Sequence, residues 1–343
     1  MRSNCWWLVC GNIDPEKSTN MDKDRLRVAV VGVGHLGEYH VKKYRNIPSV
    51  ELVGVVDTDP DRAVEIEKRY EIKAYGGHRE ILGRVDAVSL AVPTEVHFDV
   101  AYEILSKGIH VLIEKPITYR LEDADALLRL ADEKGLVLQV GLVERFNPAV
   151  VEMESLLTTP VLIESHRMNE FTTRGIDVDV VLDLMIHDLD IILHVTPSPV
   201  REVHAVGMSV ITDKTDIANA RLIFENGTVA NLTASRVSNK TLRKIRVFQP
   251  DAYLSVNCVK RELSVIRLDG TARSPEGYPE LTSKKIGFPG RDPLADEIES
   301  FVDAVTRGSK PVVSGHDGRR ALAYALEIIR QIEEGTRGFI TVP

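Results

Sequence analysis

The sequence predicts an α/β fold in two parts: a doubly wound parallel sheet, then a second α/β domain with a large open, mainly antiparallel sheet. Three observations predict it. A β-branched run leads into closely spaced glycines near residue 32, strand and helix patterns alternate to about residue 142, and short strands follow one another closely to about residue 268. We expect an unpacked extension over residues 1–24, a nucleotide-binding domain over 25–143 and a substrate and oligomerisation domain over 144–343.

The chain is organised around residues 26–44. Val28 to Val31 has no polar break, as is typical of a strand buried on both faces. Gly32, Gly34 and Gly37 follow in G-x-G-x-x-G spacing and lead into a helix-compatible segment. The first glycine permits a tight turn, the second lets the backbone approach a pyrophosphate, and the third lets helix and strand pack closely. The free N–H groups of the helix then face the phosphates, so this is the pattern of a Rossmann dinucleotide site.

The next predicted strand, Glu51 to Val56, ends in Asp57, which lies 25 residues after Gly32. A carboxylate at this position accepts hydrogen bonds from the adenosine ribose hydroxyls and repels a 2′-phosphate. NAD is therefore the expected cofactor, in preference to NADP. The expected contacts at this end of the cofactor are Gly32, Gly34, His35, Leu36, Gly37 and Asp57.

Helices and strands continue to alternate after Asp57. Asp59 and Pro60 have the residue types of an N-cap and first helical position, which predicts a helix to about Tyr70. The remaining predicted elements of the first domain are a strand over 86–92, a helix from Val96 to a C-cap near Gly108, a strand over 109–113, a helix over 121–133 and a strand over 136–140. Strands joined by helices of this length form a parallel sheet.

The pattern changes after Gly141. A short helix begins at Asn147-Pro148, and a strand over 161–169 and a long helix over 179–194 follow. The predicted strands that come next span 201–211, 217–225, 228–238, 242–248 and 252–258, with 260–268 as a possible sixth. Asn226-Gly227 predicts a hairpin turn, and hairpin spacing implies an antiparallel sheet. Residues 270–291 read as a loose stretch, and two helices, over 293–307 and 316–334, close the chain.

Composition excludes several classes of protein. A net charge of −8 with no basic stripe argues against a nucleic-acid or anionic-membrane surface, and 43% apolar residues suffice for a sizeable core in 343 residues. Three cysteines without metal or disulfide spacing fit a reducing cytoplasm. The apolar run from Cys5 to Cys10 is short for a signal peptide, so we favour an unpacked extension, with Met21 as an alternative start.

Lys115 follows the fourth predicted strand within the sequence Glu114-Lys115-Pro116. Ligands of open α/β sheets bind at the carboxyl ends of the strands, which places Lys115 in the catalytic neighbourhood. The alternative is an ordinary surface lysine.

Asp183 and His187 are four residues apart on the long predicted helix, so they share one face, and Asp190 and His194 continue the seam. The surrounding positions are almost all apolar, and a buried polar seam needs a reason because unpaired buried charge is costly. Three interpretations stay open: a core histidine paired with its aspartate, a metal site of His187, Asp183 and Asp188 or Asp190, and a general base. We expect no metal.

Two weaker elements lie near other strand ends. Pro93, Thr94 and His97 follow the third strand, where Thr94 is alternatively the N-cap of the next helix. Arg145 follows the fifth strand and can hold an anionic or polyhydroxyl substrate.

Together, these motifs make the chain resemble the Gfo/Idh/MocA oxidoreductase family from residue 24 onwards. The resemblance rests on GVGHLG at residues 32–37, Pro93-Thr94 with His97, Glu114-Lys115-Pro116, and Asp183-x-x-x-His187-Asp188, in that order. It implies a Rossmann domain followed by an α/β domain whose open sheet commonly forms the subunit interface.

The resemblance also implies residue roles. Lys115 corresponds to the lysine that orients the reacting hydroxyl, and its bond to Pro116 is often cis in the family. His187 corresponds to the acid/base, and Asp183 to its partner or a substrate ligand. Further cofactor contacts are expected from Pro93, Thr94, His97, Glu114 and Lys115, and substrate contacts from Lys115, Arg145, Asn147, Arg174, Asp183 and His187.

Residues 141–148 and 177–188 are similar to the UDP-N-acetylglucosamine 3-dehydrogenase branch of this family. That branch oxidises the sugar 3-hydroxyl to a ketone, which an aminotransferase converts to the 3-amino sugar of a diamino lipid A or a related glycan. We expect an NAD-dependent dehydrogenase of a nucleotide sugar, working as a homodimer or homotetramer through the C-terminal sheet. The alternatives are an enzyme for inositol or another free sugar and a non-catalytic NAD-bound sensor or partner.

Overall fold

The computed structural model describes residues 25–172, 178–273 and 277–339, so the predicted N-terminal extension lies outside the described residues. Within them, the first sheet has six parallel strands in the order β3-β2-β1-β4-β5-β6. Its strands are β1 Leu26–Val31, β2 Val50–Val56, β3 Ala74–Tyr75, β4 Ala87–Leu90, β5 His110–Glu114 and β6 Leu138–Gly141. Its helices are α1 His35–Tyr44, α2 Pro60–Tyr70, α3 His97–Ser106 and α4 Leu121–Lys134.

The strand order confirms the predicted doubly wound sheet. β1 lies at its centre, paired with β2 on one side and β4 on the other, and Val28 and Val30 are fully buried. The chain leaves β1 towards β2 on one side and later returns to the other side through β4, so the order reverses between β1 and β4. Ligands of such sheets bind outside the carboxyl ends of the strands at this point.

Most predicted ends of the helices and strands in the first domain are close to the observed ends. Asp59 caps α2 by accepting bonds from Asp61 N and Arg62 N, with Pro60 at the first helical position, as predicted. The short strand β3 was not predicted, because two residues carry no periodicity. The predicted N-cap role of Thr94 is wrong: Thr94 starts a 3₁₀ turn, and α3 begins after Val96, whose side chain is exposed.

The second sheet has eight strands within the described residues, in the order β14-β13-β12-β11-β7-β10-β9-β8. All its pairs are antiparallel except that of β7 with β10, which is parallel. Its strands are β7 Leu162–Glu170, β8 Val200–Met208, β9 Ile217–Phe224, β10 Val229–Ser238, β11 Leu242–Gln249, β12 Ala252–Asn257, β13 Glu262–Arg273 and β14 Pro279–Gly287. The predicted hairpin at Asn226-Gly227 joins β9 to β10, with Gly227 at φ +87°.

The prediction of a loose stretch over 270–291 is wrong. Most of it forms the end of β13 and the whole of β14, which pairs with β13 from Glu262↔Gly287 to Leu268↔Leu281. The side chains of β14 are almost all exposed, because it is the edge strand. An edge strand without a buried face shows no alternation of apolar and polar residues, so the periodicity that predicts strands was missing.

The remaining helices join the two sheets. They are α5 Pro148–Ser155, α6 Ile186–Val195, α7 Pro293–Arg307 and α8 Gly315–Phe339, and a π-helical turn over Val181–Met185 leads directly into α6. α7 packs on α1: its Ile298 and Phe301 are fully buried in one cluster with Val41 and Tyr44. A second apolar cluster runs continuously from the first sheet to the second. Among the described helices, none combines the length and apolarity needed to cross a bilayer.

Candidate active site

The glycine loop forms a close-fitting turn at the end of β1. Gly32 has φ +82°, and a Cβ there would lie 2.5 Å from Ala91 O. A Cβ on Gly37 would lie 1.9 Å from Gly32 O, so only glycine allows α1 to pack this close to β1. A Cβ on Gly34 would meet no atom within 4 Å, so the space above this part of the loop is open. This open cradle at the N-terminus of α1 fits the pyrophosphate of a dinucleotide.

Asp57 lies beside this loop at the end of β2. Its Oδ2 accepts a hydrogen bond from Val33 N at 2.8 Å, and its Oδ1 accepts one from Asp59 N at 3.0 Å. Arg62, the nearest cation on α2, donates to Glu38 and Glu65 at 2.6 Å each. These contacts hold the guanidinium of Arg62 against two carboxylates, which it shares with Arg69. The carboxylate of Asp57 repels a 2′-phosphate. The donor and acceptor set of the loop therefore fits NAD.

The residues expected to contact the nicotinamide end of the cofactor differ in their exposure to solvent. Pro93 is exposed and Thr94 half-buried on the loop after β4, whereas His97 is buried. The ring nitrogens of His97 lie 2.9 Å from Pro116 O and 3.0 Å from Val92 O. His97 thus ties the loop after β4 to the turn that carries Lys115. On the other side of the glycine loop, His35 and Leu36 are exposed on the first turn of α1.

Glu114 is buried at the end of β5. Its Oε1 lies 3.1 Å from Nε2 of the buried His40, whose Nδ1 lies 3.0 Å from Ser89 Oγ. His40, Glu114 and Glu297 form the one group within the described residues whose ligand atoms lie close enough to hold a metal ion. None of the three lines the cavity that contains His187. Burial, followed by the charge of Glu114, raises the pKa of Glu297 well above its ordinary value, which favours the protonated carboxyl.

Lys115 follows on the next residue, and the Lys115–Pro116 peptide bond is cis, as the resemblance implied. Its Nζ donates to the backbone O of Asp183 at 2.7 Å and to Asp183 Oδ1 at 2.9 Å. Asp183 lies in the π-helical turn before α6. π-turns loosen the regular i→i−4 bonding of a helix and occur frequently at functional sites. Here the turn directs one backbone oxygen and one carboxylate to the lysine.

His187 lies one residue into α6 and lines the same cavity as Lys115 and Asp183. Burial first, and then the positive charges of Lys115, Arg167 and Arg243, lower the pKa of His187 well below 6.5. The imidazole is therefore neutral at neutral pH and able to accept a proton. Its Nδ1 is buried without a hydrogen-bond partner among the described residues, and no bond joins it to Asp183.

The residues of the predicted polar seam have separate partners in the structure. Asp183 faces Lys115, Asp190 lies 3.4 Å from Nη1 of Arg145, and His194 lies 2.7 Å from Glu154 Oε1 at the surface. Burial raises the pKa of Asp190 to about 7. The π-turn separates Asp183 from the regular helix α6. Asp190 and His194 share one face of α6, but Asp190 is buried against Arg145 whereas His194 pairs with Glu154 near the surface.

The buried side chain of Arg167, for which the sequence predicts no catalytic role, forms one wall of the cavity. Arg167 of β7 donates to Asp188 with Nη2 at 2.6 Å and Nε at 3.1 Å, and to Glu144 with Nη1 at 2.8 Å. Arg243 of β11 lies opposite, 3.5 Å from Glu144. These contacts argue against a metal site at His187, because its candidate carboxylate ligands Asp183, Asp188 and Asp190 are each paired with a lysine or arginine.

The expected substrate residues are not all brought together. Arg145 and Asn147 are buried behind the cavity, where Asn147 caps α5 and Arg145 donates to Val312 O at 3.1 Å. Arg174 lies outside the described residues. The cavity has a volume of about 450 Å³ and is lined by Lys115, Asp183 and His187 and by Arg167, Asn169 and Arg243. Asn169 and Arg243 were missed; the available signal was polar residues at alternate positions of strands that otherwise bury apolar ones.

Comparison with known proteins identifies relatives of both halves. Residues 26–142 match the profile of an oxidoreductase family with an NAD-binding Rossmann fold, GFO_IDH_MocA, and residues 149–254 match the GFO/IDH/MocA C-terminal domain. UDP-N-acetylglucosamine 3-dehydrogenase of Acidithiobacillus ferrooxidans is 40% identical over 90% of this chain and 97% of its own. A crystal form of that enzyme superposes with a TM-score of 0.84 at 38% identity, covering 90% of this chain and 98% of its own. Myo-inositol 2-dehydrogenase of Thermotoga maritima is 25% identical over 90% of this chain and 97% of its own.

Proposed function

Since the chain belongs to the GFO/IDH/MocA family of NAD-dependent oxidoreductases acting on CH–OH groups, we propose that it oxidises the 3-hydroxyl of UDP-N-acetylglucosamine to the 3-keto sugar. The observation that supports this choice of substrate is the 40% sequence identity, over 90% of this chain, to an enzyme named for that reaction. Inositol and free sugars are the alternative substrates, because an inositol dehydrogenase is also similar over most of the chain.

The first domain holds the cofactor in this proposal. The open backbone at Gly34 and the N-terminus of α1 bind the pyrophosphate, and Asp57 binds the adenosine ribose. NAD supplies the acceptor for the hydride that leaves the reacting carbon. Pro93, Thr94 and Lys115 follow strands β4 and β5 and lie on the side of the sheet where the nicotinamide is expected.

The second domain supplies the proton chemistry. His187 is neutral at neutral pH because burial and nearby cations lower its pKa, so its imidazole can take the hydroxyl proton. Lys115 is a cation fixed by two contacts to Asp183, and it stabilises the negative charge that develops on the substrate oxygen. Asp183 acts on Lys115 in this scheme, instead of pairing with His187.

Assembly and pathway complete the proposal. The exposed face of the second sheet carries apolar side chains such as Val206 and Met208, which are 64% and 56% exposed, and a homo-oligomer through this sheet would cover them. A 3-keto sugar is the substrate class of an aminotransferase, so a sugar aminotransferase that leads to a 3-amino glycan such as a diamino lipid A is the expected next enzyme.

The test is a direct assay with the full-length chain. Purified enzyme is mixed with NAD and UDP-N-acetylglucosamine, NADH formation is followed, and the ketone is trapped by reduction with borodeuteride so that NMR locates the labelled carbon. UDP-glucose, N-acetylglucosamine and myo-inositol are compared in parallel, with His187→Ala as the inactive control. We expect deuterium at carbon 3 of the nucleotide sugar.

Three results would contradict the proposal. Deuterium at another carbon would reject the 3-hydroxyl, and faster oxidation of myo-inositol or a free sugar would reject the nucleotide sugar. Tight NAD binding without turnover of any of the four compounds would favour the non-catalytic sensor.

A further inference from the structure

We propose that Asn169 and Arg243 recognise an acylamino group next to the reacting carbon, and so select 2-acetamido sugars over their 2-hydroxy analogues. This inference rests on the proposed function and adds to it the residues that read the substituent. It starts from the wall of the cavity opposite Lys115, which the second sheet forms.

The sheet places the two side chains together. β7 and β11 are antiparallel neighbours in which Arg167 pairs with Arg243. Side chains opposite one another lie on the same face of a sheet, and so do residues two apart on one strand. Asn169 is two residues beyond Arg167 and therefore points to the same side as Arg243, and all three line the cavity.

Both side chains have a polar atom without a partner. Asn169 Oδ1 and Arg243 Nε are buried, and neither makes a hydrogen bond within the described part of the chain. Buried polar atoms in folded proteins nearly always have a hydrogen-bond partner. Because both atoms belong to residues that line the cavity, a bound ligand is the natural source of the missing bonds.

The charges around the cavity indicate the chemical class of that ligand. Arg167 is neutralised by Asp188 and Glu144, and Arg243 lies 3.5 Å from the same Glu144. Lys115 is paired with Asp183 in the same way. The three cations that line the cavity are therefore matched by three carboxylates. This balance favours a neutral polar group over a phosphate, which would need uncompensated positive charge.

An acylamino group supplies the two missing partners. Its N–H can donate to Asn169 Oδ1, and its carbonyl oxygen can accept from Arg243 Nε–H. A hydroxyl at the same carbon is shorter and cannot reach two partners on neighbouring strands at once. Sites that hydrogen-bond one substituent discriminate strongly against an analogue that leaves their buried groups unpaired.

The experiment compares two substrates that differ only in this substituent. The kcat/KM of the native enzyme, Asn169→Leu, Asn169→Ser and Arg243→Met is measured with UDP-N-acetylglucosamine and with UDP-glucose. Met168→Leu is the matched control, since Met168 is on the same strand and points to the other face. The NAD dissociation constant of each variant reports whether the first domain is intact.

We expect the native enzyme to prefer the acetamido substrate, and each Asn169 or Arg243 variant to reduce that preference by about 10–100-fold, the effect of leaving one to two buried hydrogen-bonding groups unpaired. Met168→Leu should keep the native preference. An equal loss on both substrates would assign the residues a structural role and overturn the inference, as would unchanged preference. If the native enzyme prefers UDP-N-acetylglucosamine but oxidises carbon 4 or 6, the proposed function fails, and so does the placing of the acylamino group next to the reacting carbon. The same ratios then still decide whether Asn169 and Arg243 bind the acylamino group. If the native enzyme has no preference for the acetamido substrate, the inference itself is wrong.

Discussion

Replacing Arg167 by methionine is expected to destabilise the protein strongly, because the guanidinium is the shared partner of two buried carboxylates. Arg167, Asp188 and Glu144 expose 2%, 3% and 9% of their side chains. Methionine has a similar length and apolar stem but leaves Asp188 without the bonds at 2.6 Å and 3.1 Å that it now accepts. Glu144 keeps Asn147, which donates to it at 3.1 Å. Most of the loss therefore falls on Asp188.

The size of the effect follows from this count. Breaking a buried ion pair by removing one partner costs about 3–5 kcal/mol. One carboxylate here loses its partner completely and a second loses its best one, so we expect about 4–5 kcal/mol. In a chain of this length, 1 kcal/mol corresponds to roughly 2 °C in Tm, which gives a decrease of about 8–10 °C.

The pH dependence has a definite sign. Burial raises the pKa of Glu144, but Arg167, Arg243 and Asn147 together outweigh burial, and the net pKa lies below 4.5. A group whose folded pKa is lowered stabilises the protein above its unfolded pKa, and this stabilisation is lost as the pH falls through the folded value. The part of the stability difference between native and Arg167→Met that comes from Glu144 should therefore be full at neutral pH and shrink below about pH 4.5.

Urea denaturation at several pH values measures this difference. Arg246→Met is the matched control, because Arg246 pairs with Glu164 across the same two strands at 3.2 Å, with both side chains about one-third exposed. Such a pair contributes about 0–1 kcal/mol. Equal losses for the two variants, or a loss for Arg167→Met that does not change with pH, would refute the reasoning.

Four further predictions concern activity and assembly. His187→Ala should lower kcat by about 10²–10⁴-fold, the usual contribution of a positioned base, with NAD affinity retained; a near-native kcat, together with an inactive Lys115→Met, would make the lysine the base. The acid limb of kcat/KM should lie below pH 6.5, because burial and nearby cations lower the pKa of His187 and the neutral imidazole is the active form, so the rate falls as the pH drops through that pKa; a limb above 6.5 that disappears with His187→Ala would contradict this. Asp57→Ala should narrow the preference for NAD over NADP, and equal affinities of the native protein would show that Asp57 does not set it. Light scattering at micromolar concentration should detect a homo-oligomer held through residues 200–270, and a monodisperse monomer would exclude it.

The sequence predicts well those parts of the fold whose conformation depends on residues close together in the chain. The turn at Gly32 and the cap at Asp59 depend on a few adjacent residues, and both have the structures expected of them. The parallel pairing of β7 with β10 was not expected, because the two strands are separated by about 60 residues and no local pattern specifies which neighbours they take.

Some residues of the candidate site could likewise be predicted from the sequence, and others could not. Lys115 could be picked out because it follows a predicted strand, and His187 because it lies four residues after Asp183 on a predicted helix. Both line the cavity. The π-turn before α6 could not be picked out, because the residues Val181–Met185 suit an α-helix equally well and the wider turn depends on tertiary contacts. Asn169 and Arg243 meet only through the register of two strands more than 70 residues apart in the chain.

The packing of α7 on α1 has a consequence for how the chain is made. The apolar side of α1, with Val41 and Tyr44, is covered by Ile298 and Phe301, which are encoded more than 150 residues after the last strand of the first sheet. At a translation rate of about 5–20 residues per second, the ribosome needs roughly 10–30 s to reach them. During that interval the nascent nucleotide-binding half carries an uncovered apolar strip, which is a binding site for chaperones and a risk for aggregation. A gene fragment that ends at the last strand of the first sheet would make that exposure permanent.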